Sequence, residues 1–506
     1  MHVPLRIPRI VVPTSKRNMQ SLDGCLVLSS THLIRTLKMT TLNILGTGLS
    51  VASILTSFVV LLAIYLACDA VYSLTLHPLA SFPGSTFAAV SRIPWLYVSV
   101  TGTQVPWIQN LHTKYGPVLR FSPNEISYID TDGRTWQEIN GHGKHVVENM
   151  KAIEYSIRPT NGSKTDLDGG VPSMIIAGYE DHRRMRHTFA PAFSDRALKA
   201  QEPMFHKHVD IMLAKTRDLV MRGDPIDMNV MLNCATYDIM GDLTFGKSLG
   251  LLESIEYSHW LKTIMDSLKV IPIFQTIEAY PVLNLLYTCL RPSWIVKMQE
   301  DHFKYTSDLV DSRLANGSTQ PDIWNLVLNA EGSEALTLGE MHSCAELFMI
   351  AGSETTATLL AGVIYYLLRN PSTLNRVVDE IRTSFANTES FTFERLGGLR
   401  YLNACLQEAL RVYPPLPIGV ARVVPPGGSP PLNFRDPDAF VPERWLDEHP
   451  AYRDDNRECL QPFSVGSRNC IGQNMARHEM RLILAKLLFA FDLKLCAESS
   501  DWVSQK

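Results

Sequence analysis

The stretch Phe463-Ser-Val-Gly466-Ser-Arg468-Asn-Cys470-Ile-Gly472 decides how the rest of the chain is interpreted. A helix is predicted to begin near Cys470, where free backbone N–H groups and the helix dipole favour a negative charge. Arg468 adds a positive charge two residues away, and the two glycines let the backbone pass close to a ligand. We therefore predict that the Cys470 thiol is stabilised as a thiolate.

A thiolate can act as a nucleophile or as a metal ligand. A catalytic cysteine needs a histidine base, and His478 lies two turns along the same predicted helix. A zinc site needs three further ligands, and no residue has the spacing for one. An axial thiolate on haem iron needs no other ligand from the protein.

A long helix is predicted over residues 337–370. Thr337 and Glu340 have the spacing of a capping box, and about 32 helical residues would extend roughly 48 Å. Gly352 and Glu354 are both unfavourable inside an apolar helix. Their coincidence indicates a functional site, although a Glu354 at a solvent-exposed edge would explain the pattern equally well.

A second predicted helix, over residues 399–412, places Glu408 and Arg411 on one face. An isolated ExxR pattern is more often a surface ion pair that contributes under about 1 kcal/mol. Glu180 and Arg183 repeat the pattern in this chain. The motif alone therefore carries little weight.

The N-terminal region contains a predicted transmembrane anchor over residues 43–68. No charged residue occurs from Met39 to Cys68, and about 20 apolar residues suffice to span a bilayer. A cleaved signal peptide, whose apolar core would be shorter, and a buried core helix are the alternatives. Residues 1–38 form a basic extension, which by the positive-inside rule would keep the N-terminus in the cytoplasm. Translation from Met39 would remove that extension, and we expect Met39 to be the true start.

The composition excludes several classes of protein. Of 506 residues, 45% are hydrophobic and 19% are charged, which predicts a large core and excludes wholesale disorder. The net charge of −4 shows no excess of Lys and Arg, so no nucleic-acid partner is predicted. Nine scattered cysteines argue against a secreted disulfide framework.

The stretch around Cys470 resembles FxxGxRxCxG, the haem-binding signature of the cytochrome P450 family. AGSETT at 351–356 resembles the oxygen-activating motif of that family, EALR at 408–411 its ExxR, and PERW at 442–445 its PERF motif. The resemblance extends over residues 77–506 and, in detail, is closest in character to the membrane-bound fungal members of the trichothecene-hydroxylase-like group. It implies a mainly α fold with small β-sheets, in which residues 77–506 form the catalytic domain behind an N-terminal transmembrane helix.

The resemblance also implies roles for individual residues. Cys470 is expected to be the axial iron ligand, and Glu354 and Thr355 are expected to deliver protons to bound oxygen, with Gly352 leaving room for it. The residues expected to bind the haem cofactor are Cys470, Phe463, Gly466, Arg468, His182, Arg186 and Arg422. The residues expected to form a buried structural network are Glu408, Arg411 and Arg444.

The activity that follows is that of a haem-thiolate monooxygenase, which inserts one oxygen atom from O2 into an apolar small molecule in fungal secondary metabolite biosynthesis. Electrons are expected to come from NADPH-cytochrome P450 reductase. The expected location is the endoplasmic reticulum membrane, with a single crossing and the catalytic domain in the cytoplasm.

The chain departs from the family pattern in one internal segment and at its end. Only ten residues, 423–432, separate Arg422 from Asn433, and they are rich in Pro and Gly. Family members are roughly 25 residues longer there, enough for three strands, and continue into a further C-terminal hairpin. We therefore expect some β segments to be missing. The alternative function is a haem-binding or misfolded remnant without turnover.

Overall fold

The long helix predicted around the AGSETT motif is formed. In the computed structural model it spans Leu338–Arg369, which is 32 residues. The Thr337 hydroxyl accepts a hydrogen bond from the Glu340 N–H at 3.3 Å, and the Glu340 carboxylate accepts one from the Thr337 N–H at 2.8 Å. The predicted capping box therefore starts the helix, and Pro371 follows its last turn.

The structure describes residues 2–6, 51–129, 171–257, 261–262, 272–277, 279–290, 293–317, 320–328, 335–416, 434–436, 438–446 and 449–502. Within these ranges the helices are α1 (Val51–Thr75), α2 (Thr86–Val90), α3 (Ile93–Val100), α4 (Gln104–Tyr115), α5 (Tyr179–Phe189), α6 (Asp195–Arg222), α7 (Met228–Phe245), α8 (Leu251–Ser254), α9 (Pro281–Leu290), α10 (Ser293–Asn316), α11 (Ile323–Val327), α12 (Leu338–Arg369), α13 (Pro371–Ser384), α14 (Phe393–Gly397), α15 (Arg400–Val412) and α16 (Gln473–Ala490). The strands are β1 (His2–Arg6), β2 (Val118–Ser122), β3 (Glu125–Tyr128), β4 (Ile226–Asp227) and β5 (Asp492–Leu495). A mainly α fold with small sheets is thus confirmed.

The chain divides into two compact units. The larger comprises residues 1–8, 96–109 and 128–506, and the smaller comprises residues 9–95 and 110–127. The predicted site residues from His182 to Cys470 all belong to the larger unit.

Helix α12 forms the centre of the larger unit, because apolar side chains cover it nearly all round from Thr356 onward. It packs along α7, which is itself buried over almost its whole length. Helices α15 and α16 pack against the other side of α12. Three of the four motifs identified in the sequence are therefore carried on, or next to, helices that share one core.

A three-stranded sheet in the larger unit has the order β4-β1-β5, with β1 parallel to both neighbours. Leu5 pairs with Ile226 on one side and with Leu495 on the other. A chain that started at Met39 would lack this central strand. The expectation about the start of translation stays a prediction.

The smaller unit is organised around the buried side chain of Arg120. Its guanidinium donates to the Ser73 carbonyl at 2.7 Å and to the Ser73 hydroxyl at 2.8 Å, and thus ties the end of α1 to β2. It also donates to the Pro123 carbonyl in the turn between β2 and β3. Gly84 lies so close to β2 that a Cβ there would stand 2.1 Å from the Arg120 carbonyl oxygen. The connector after α1 therefore needs glycine at this position.

Helix α1 is long and apolar enough to cross a membrane, and its side chains are almost wholly exposed. It continues through Asp69 to Thr75, seven residues beyond the predicted end at Cys68. Helix α12 has similar length and composition but is mostly buried, as expected of a core helix. The first eight residues of the predicted anchor, 43–50, lie outside the described residues.

Other sequence expectations fall on residues that the structure does not describe. Arg422 and residues 423–432 are outside the described part of the chain, as are residues 503–506.

Candidate functional site

Cys470 lies in a loop that folds back on itself immediately before α16. The Cys470 N–H donates to the Phe463 carbonyl at 2.9 Å, and the Asn469 N–H donates to the Gly466 carbonyl at 3.2 Å. Gly466 has a φ of 86°, a left-handed conformation that strains any residue with a Cβ. The glycine in the signature is therefore required by the turn, and the loop holds Cys470 in one place.

The surroundings of Cys470 differ from those expected for a stabilised thiolate, which stays a prediction. Helix α16 begins at Gln473 with Gly472 as its N-cap, so Cys470 precedes the first turn. Burial raises the pKa of Cys470, and the Gly472 N–H and the charge of Arg186 only partly oppose it. The expected cation, Arg468, is not among the groups that act on the thiol. A bound metal cation would oppose this upward shift of the Cys470 pKa.

The donor set around Cys470 fits haem better than a multi-ligand metal ion. Among the described residues, no group of three or more His, Cys, Asp or Glu side chains could hold a metal ion. The Cys470 side chain is accessible to solvent although its surroundings partly desolvate it. A single accessible thiol is what one axial thiolate on haem iron requires, and a bound iron would deprotonate it.

Two arginines connect the Cys470 loop with α5. Arg186 donates to the Asn469 carbonyl at 2.7 Å and to the Asn469 side-chain oxygen at 2.5 Å. Arg468, which belongs to the loop, donates to the carbonyl of Ala177 just before α5, at 3.0 Å. His182 is buried one turn before Arg186 on the same helix. The structure thus places three of the residues expected to bind haem propionates on α5 and on the loop that is bonded to it.

Ala351 and Thr355 lie on the accessible side of α12. The Thr355 hydroxyl donates to the Ala351 carbonyl one turn earlier at 2.8 Å. A Cβ at Gly352 would stand 2.7 Å from the sulfur of Met240, so the glycine lets α7 approach α12 closely there. The expectation that Gly352 leaves room for oxygen stays a prediction.

The carboxyl group of Glu354 is largely buried. Burial raises the pKa of Glu354, and a weak hydrogen bond from the Thr358 hydroxyl at 3.5 Å opposes the shift only slightly. Its second oxygen, Oε2, is buried without a hydrogen-bond partner. Glu354 as a whole is therefore half-buried rather than at a solvent-exposed edge, and its burial disfavours the charged form of the carboxyl group.

The ExxR pair and the PERW motif form one buried network, as predicted. Glu408 is fully buried and accepts hydrogen bonds from Arg411 at 2.9 and 2.8 Å and from Arg444 at 3.0 Å. The Trp445 indole donates to the same carboxylate at 2.9 Å, and the Val441 N–H donates at 2.7 Å. Five hydrogen bonds to one carboxylate compensate for its burial.

Sequence reasoning missed the second acid of this network. Arg444 also forms an ion pair with Asp455, whose side chain is almost fully buried. The Arg444 guanidinium lies 4.5 Å from the centre of the Tyr452 ring. An acidic residue eleven positions after the motif arginine gave no recognisable pattern.

The histidine considered as a base for a catalytic cysteine is engaged elsewhere. The His478 ring stacks on Phe393, with centroids 4.4 Å apart and an interplanar angle of 18°. Burial lowers the pKa of His478. This packing removes the support for a thiol hydrolase.

A cavity of about 640 Å³ adjoins the outer side of the Cys470 loop. Phe463, Gly466 and Asn469 line it. Three arginines also line it: Arg400, Arg457 and Arg477. The Arg477 guanidinium lies 5.3 Å from the centre of the Phe463 ring. Sequence reasoning did not identify this basic depression, because its arginines come from three separate segments.

The family model described as Cytochrome P450 matches residues 91–426 and 430–506. The break at 427–429 falls in the segment expected to be shortened. Cytochrome P450 monooxygenase FUM2 of Gibberella moniliformis is 42% identical over 457 residues, which cover 85% of this chain and 95% of that protein. Cytochrome P450 monooxygenase efuB of Hormonema carpetanum is 37% identical over 86% of this chain and 90% of its own length. Averantin hydroxylase of Dothistroma septosporum is 36% identical over 86% of this chain and 85% of its own length.

Proposed function

Because the chain belongs to the cytochrome P450 family and is a haem-dependent monooxygenase, we propose that it inserts one oxygen atom from O2 into an apolar small molecule of fungal secondary metabolism. The observation that carries this proposal is the isolated, accessible Cys470 in a loop joined to α5 by Arg186 and Arg468. A relative named as a hydroxylase supports the reaction type.

The residues around Cys470 fit a haem. Bound haem supplies an iron that binds and activates O2. Cys470 would ligate that iron, and Phe463 would pack beside the ring. His182, Arg186 and Arg468 would bind the propionates, because Arg186 and Arg468 join the Cys470 loop to α5 and its preceding segment, and such side chains form charge-assisted hydrogen bonds with carboxylates. Arg422 lies outside the described residues, and we propose the same role for it from the family resemblance alone.

Glu354 and Thr355 would hold and move protons beside the oxygen site. The Thr355 hydroxyl, on the accessible side of α12, can accept a proton at its oxygen while it donates its own. Glu354 can carry a proton because burial favours its neutral form. Exclusion of bulk water by the apolar core would restrict proton entry to these groups.

The basic depression beside the Cys470 loop would receive the electron donor. Its three arginines line the cavity together with Phe463, and an acidic protein surface would complement their positive charge. NADPH-cytochrome P450 reductase is the donor that we propose. Helix α1 would anchor the chain in the endoplasmic reticulum membrane by a single crossing, with the catalytic domain in the cytoplasm.

The proposal is tested with the full chain in microsomes that contain the reductase. Apolar and polar small molecules of matched size are added, and the haem absorbance shift, NADPH oxidation and oxygenated product are measured together. We expect saturable shifts and product with some apolar compounds. Binding or product confined to the polar compounds would contradict the proposed substrate class.

A further inference from the structure

The basic depression beside the Cys470 loop carries positive charge that its own wall does not balance. The cavity measures about 640 Å³, and no aspartate or glutamate occurs among the described residues that line it. Its cations are Arg400, Arg457 and Arg477. Positive charges gathered in a concave wall attract an anion from outside the fold.

Arg477 on α16 is the cation of this wall that most clearly lacks an acceptor among the described residues. Its Nε atom is buried and has no hydrogen-bond partner there. Its guanidinium lies 5.3 Å from the centre of the Phe463 ring. Burial lowers the pKa of Arg477, and no acidic side chain in the described part of the chain opposes that shift. A bound anion would supply the missing acceptor and a compensating charge.

A second arginine on α16 adds to the unbalanced charge. Arg481 lies one turn after Arg477, whose charge adds to burial in lowering the pKa of Arg481. The Arg481 guanidinium donates to the side-chain oxygen of Asn403 at 2.6 Å, and Asn403 lines the depression. Like charges at this helical spacing repel each other. An anion in the depression would offset this repulsion.

The acid that reaches the wall of the depression from behind is already paired. The Trp445 indole, which lines the depression, donates to Glu408 at 2.9 Å. Glu408 is fully buried, and Arg411 and Arg444 share its carboxylate. Its charge is therefore used within the structural network and does not balance the arginines of the depression.

The rest of the wall suits an organic molecule rather than a bare inorganic ion. A volume of about 640 Å³ lies within the roughly 300–1,000 Å³ that is typical of small-molecule pockets. The rings of Phe463 and Trp445 contribute apolar surface. Side-chain amides, which both donate and accept hydrogen bonds, are contributed by Asn403, Gln407, Gln461 and Gln473. A heterocyclic ring with polar edges would match this combination.

The arginines favour a phosphate group as the anion. Arginine binds phosphate oxygens through two parallel hydrogen bonds. A phosphate monoester carries a charge of about −1.5 to −2 near pH 7, whereas a carboxylate carries a single charge. Several arginines around one cavity are therefore better balanced by a phosphate.

We propose that the basic depression is a binding site for a small phosphate ester of a heterocyclic compound, a molecule of nucleotide size, whose phosphate is held by the arginines of the wall. The electron donor that we propose would use the same arginines, so the ester and the donor would exclude each other. Only this exclusion rests on the proposed function, because the binding of the ester does not require the donor.

The test is calorimetric titration of the full, haem-loaded chain, without reductase, with ADP as the probe. We expect ADP to bind at one site, and adenosine and pyrophosphate to bind at least about tenfold more weakly. Arg477→Gln and Arg400→Gln should each weaken ADP binding about tenfold, because each removes a charge-assisted hydrogen bond. The matched control is Arg222→Gln, at an exposed position in the last turn of α6 and outside the cavity wall. It should bind ADP like the parent.

Three results would overturn the inference. They are no binding of ADP to the parent, equal binding to the parent and to both cavity variants, and binding of adenosine as tight as that of ADP. Pyrophosphate that binds as tightly as ADP would overturn the assignment to a heterocyclic ester. The exposed Arg400 provides the test if Arg477→Gln does not fold.

The exclusion of the donor is measured separately, as the rate at which the reductase reduces the haem with and without ADP. Reduction of cytochrome c by the same reductase corrects for any effect of ADP on the reductase itself. We expect ADP to slow haem reduction in the parent and to have less effect in Arg477→Gln. ADP that binds to the depression without slowing reduction would support the site and contradict only the proposed docking of the donor there.

Discussion

Arg186 and Asn469 are joined by two hydrogen bonds, of 2.7 Å to the backbone carbonyl and 2.5 Å to the side-chain oxygen. Asn469 directly precedes Cys470, so the position of the thiol depends on a residue nearly 300 positions earlier in the chain. Burial lowers the pKa of Arg186, and the neighbouring Cys470 opposes that shift. Arg186 therefore fixes the position of the loop by hydrogen bonds, and its charge acts on the Cys470 thiol.

Arg186→Lys should weaken haem retention. Lysine cannot span two acceptors with a planar fork, so at least one charged hydrogen bond is lost. We expect haem to transfer to an acceptor protein about tenfold faster, equivalent to ~1.4 kcal/mol. Arg184→Lys on the same helix is the control, because Arg184 pairs with Glu340 instead. Equal loss rates in the two variants would contradict the assigned link.

Glu408→Gln should destabilise the fold rather than alter the chemistry. The substitution leaves Arg411 and Arg444 buried without their shared carboxylate. Stranding buried charges in this way typically costs about 3–5 kcal/mol, measurable by denaturant unfolding of the full chain. Lys304→Ala, which breaks an exposed ion pair with Asp308, should change little. Similar stability of the two variants would argue against a buried network.

Protonation of Asp242 in acid should lower the free energy of unfolding. Burial would raise the pKa of Asp242, but hydrogen bonds from His208 and Lys207 outweigh it and leave the pKa lowered. A lowered folded pKa stabilises the protein above the unfolded value of about 3.9, and this stability is lost as pH falls below it.

The variant Asp242→Asn isolates this contribution. It should be about 3 kcal/mol less stable near neutral pH, because it leaves buried His208 without its acid. It should also lose less stability than the parent between pH 5 and pH 3. Parallel stability curves for the two proteins over this range would show that Asp242 is not responsible.

Thr355→Ala should separate electron consumption from product formation. The hydroxyl lies on the accessible side of α12, and its loss removes a proton carrier beside the oxygen site. We expect haem binding to persist while NADPH oxidation releases more peroxide and yields less product. Thr383→Ala, at an exposed position on α13, is the control. Unchanged coupling in Thr355→Ala would remove the residue from the proton route.

Much of the site could be predicted because its motifs are local. The capping box at Thr337 and the Glu408–Arg411 pair on one helix face follow from helix geometry. The packing of α12 could not be predicted in the same way. The close approach of α7 at Gly352 involves Met240, more than a hundred residues away.

The charged neighbour of Cys470 could not be identified from the sequence for a similar reason. Arg468 is near in sequence, but its guanidinium reaches back to Ala177. Arg186 is distant in sequence and acts on the thiol. The cost of burying the thiol depends on the packing of all its neighbours, which no local pattern records.

The central claim is that Cys470 is the thiolate ligand of a haem, and the carbon monoxide difference spectrum of the reduced full chain tests it most directly. The native protein should show the band characteristic of thiolate-ligated haem. Cys470→Ala should lose that band, while Cys459→Ala, in a nearby segment, should keep it. A thiolate-type band that persists in Cys470→Ala would contradict the account.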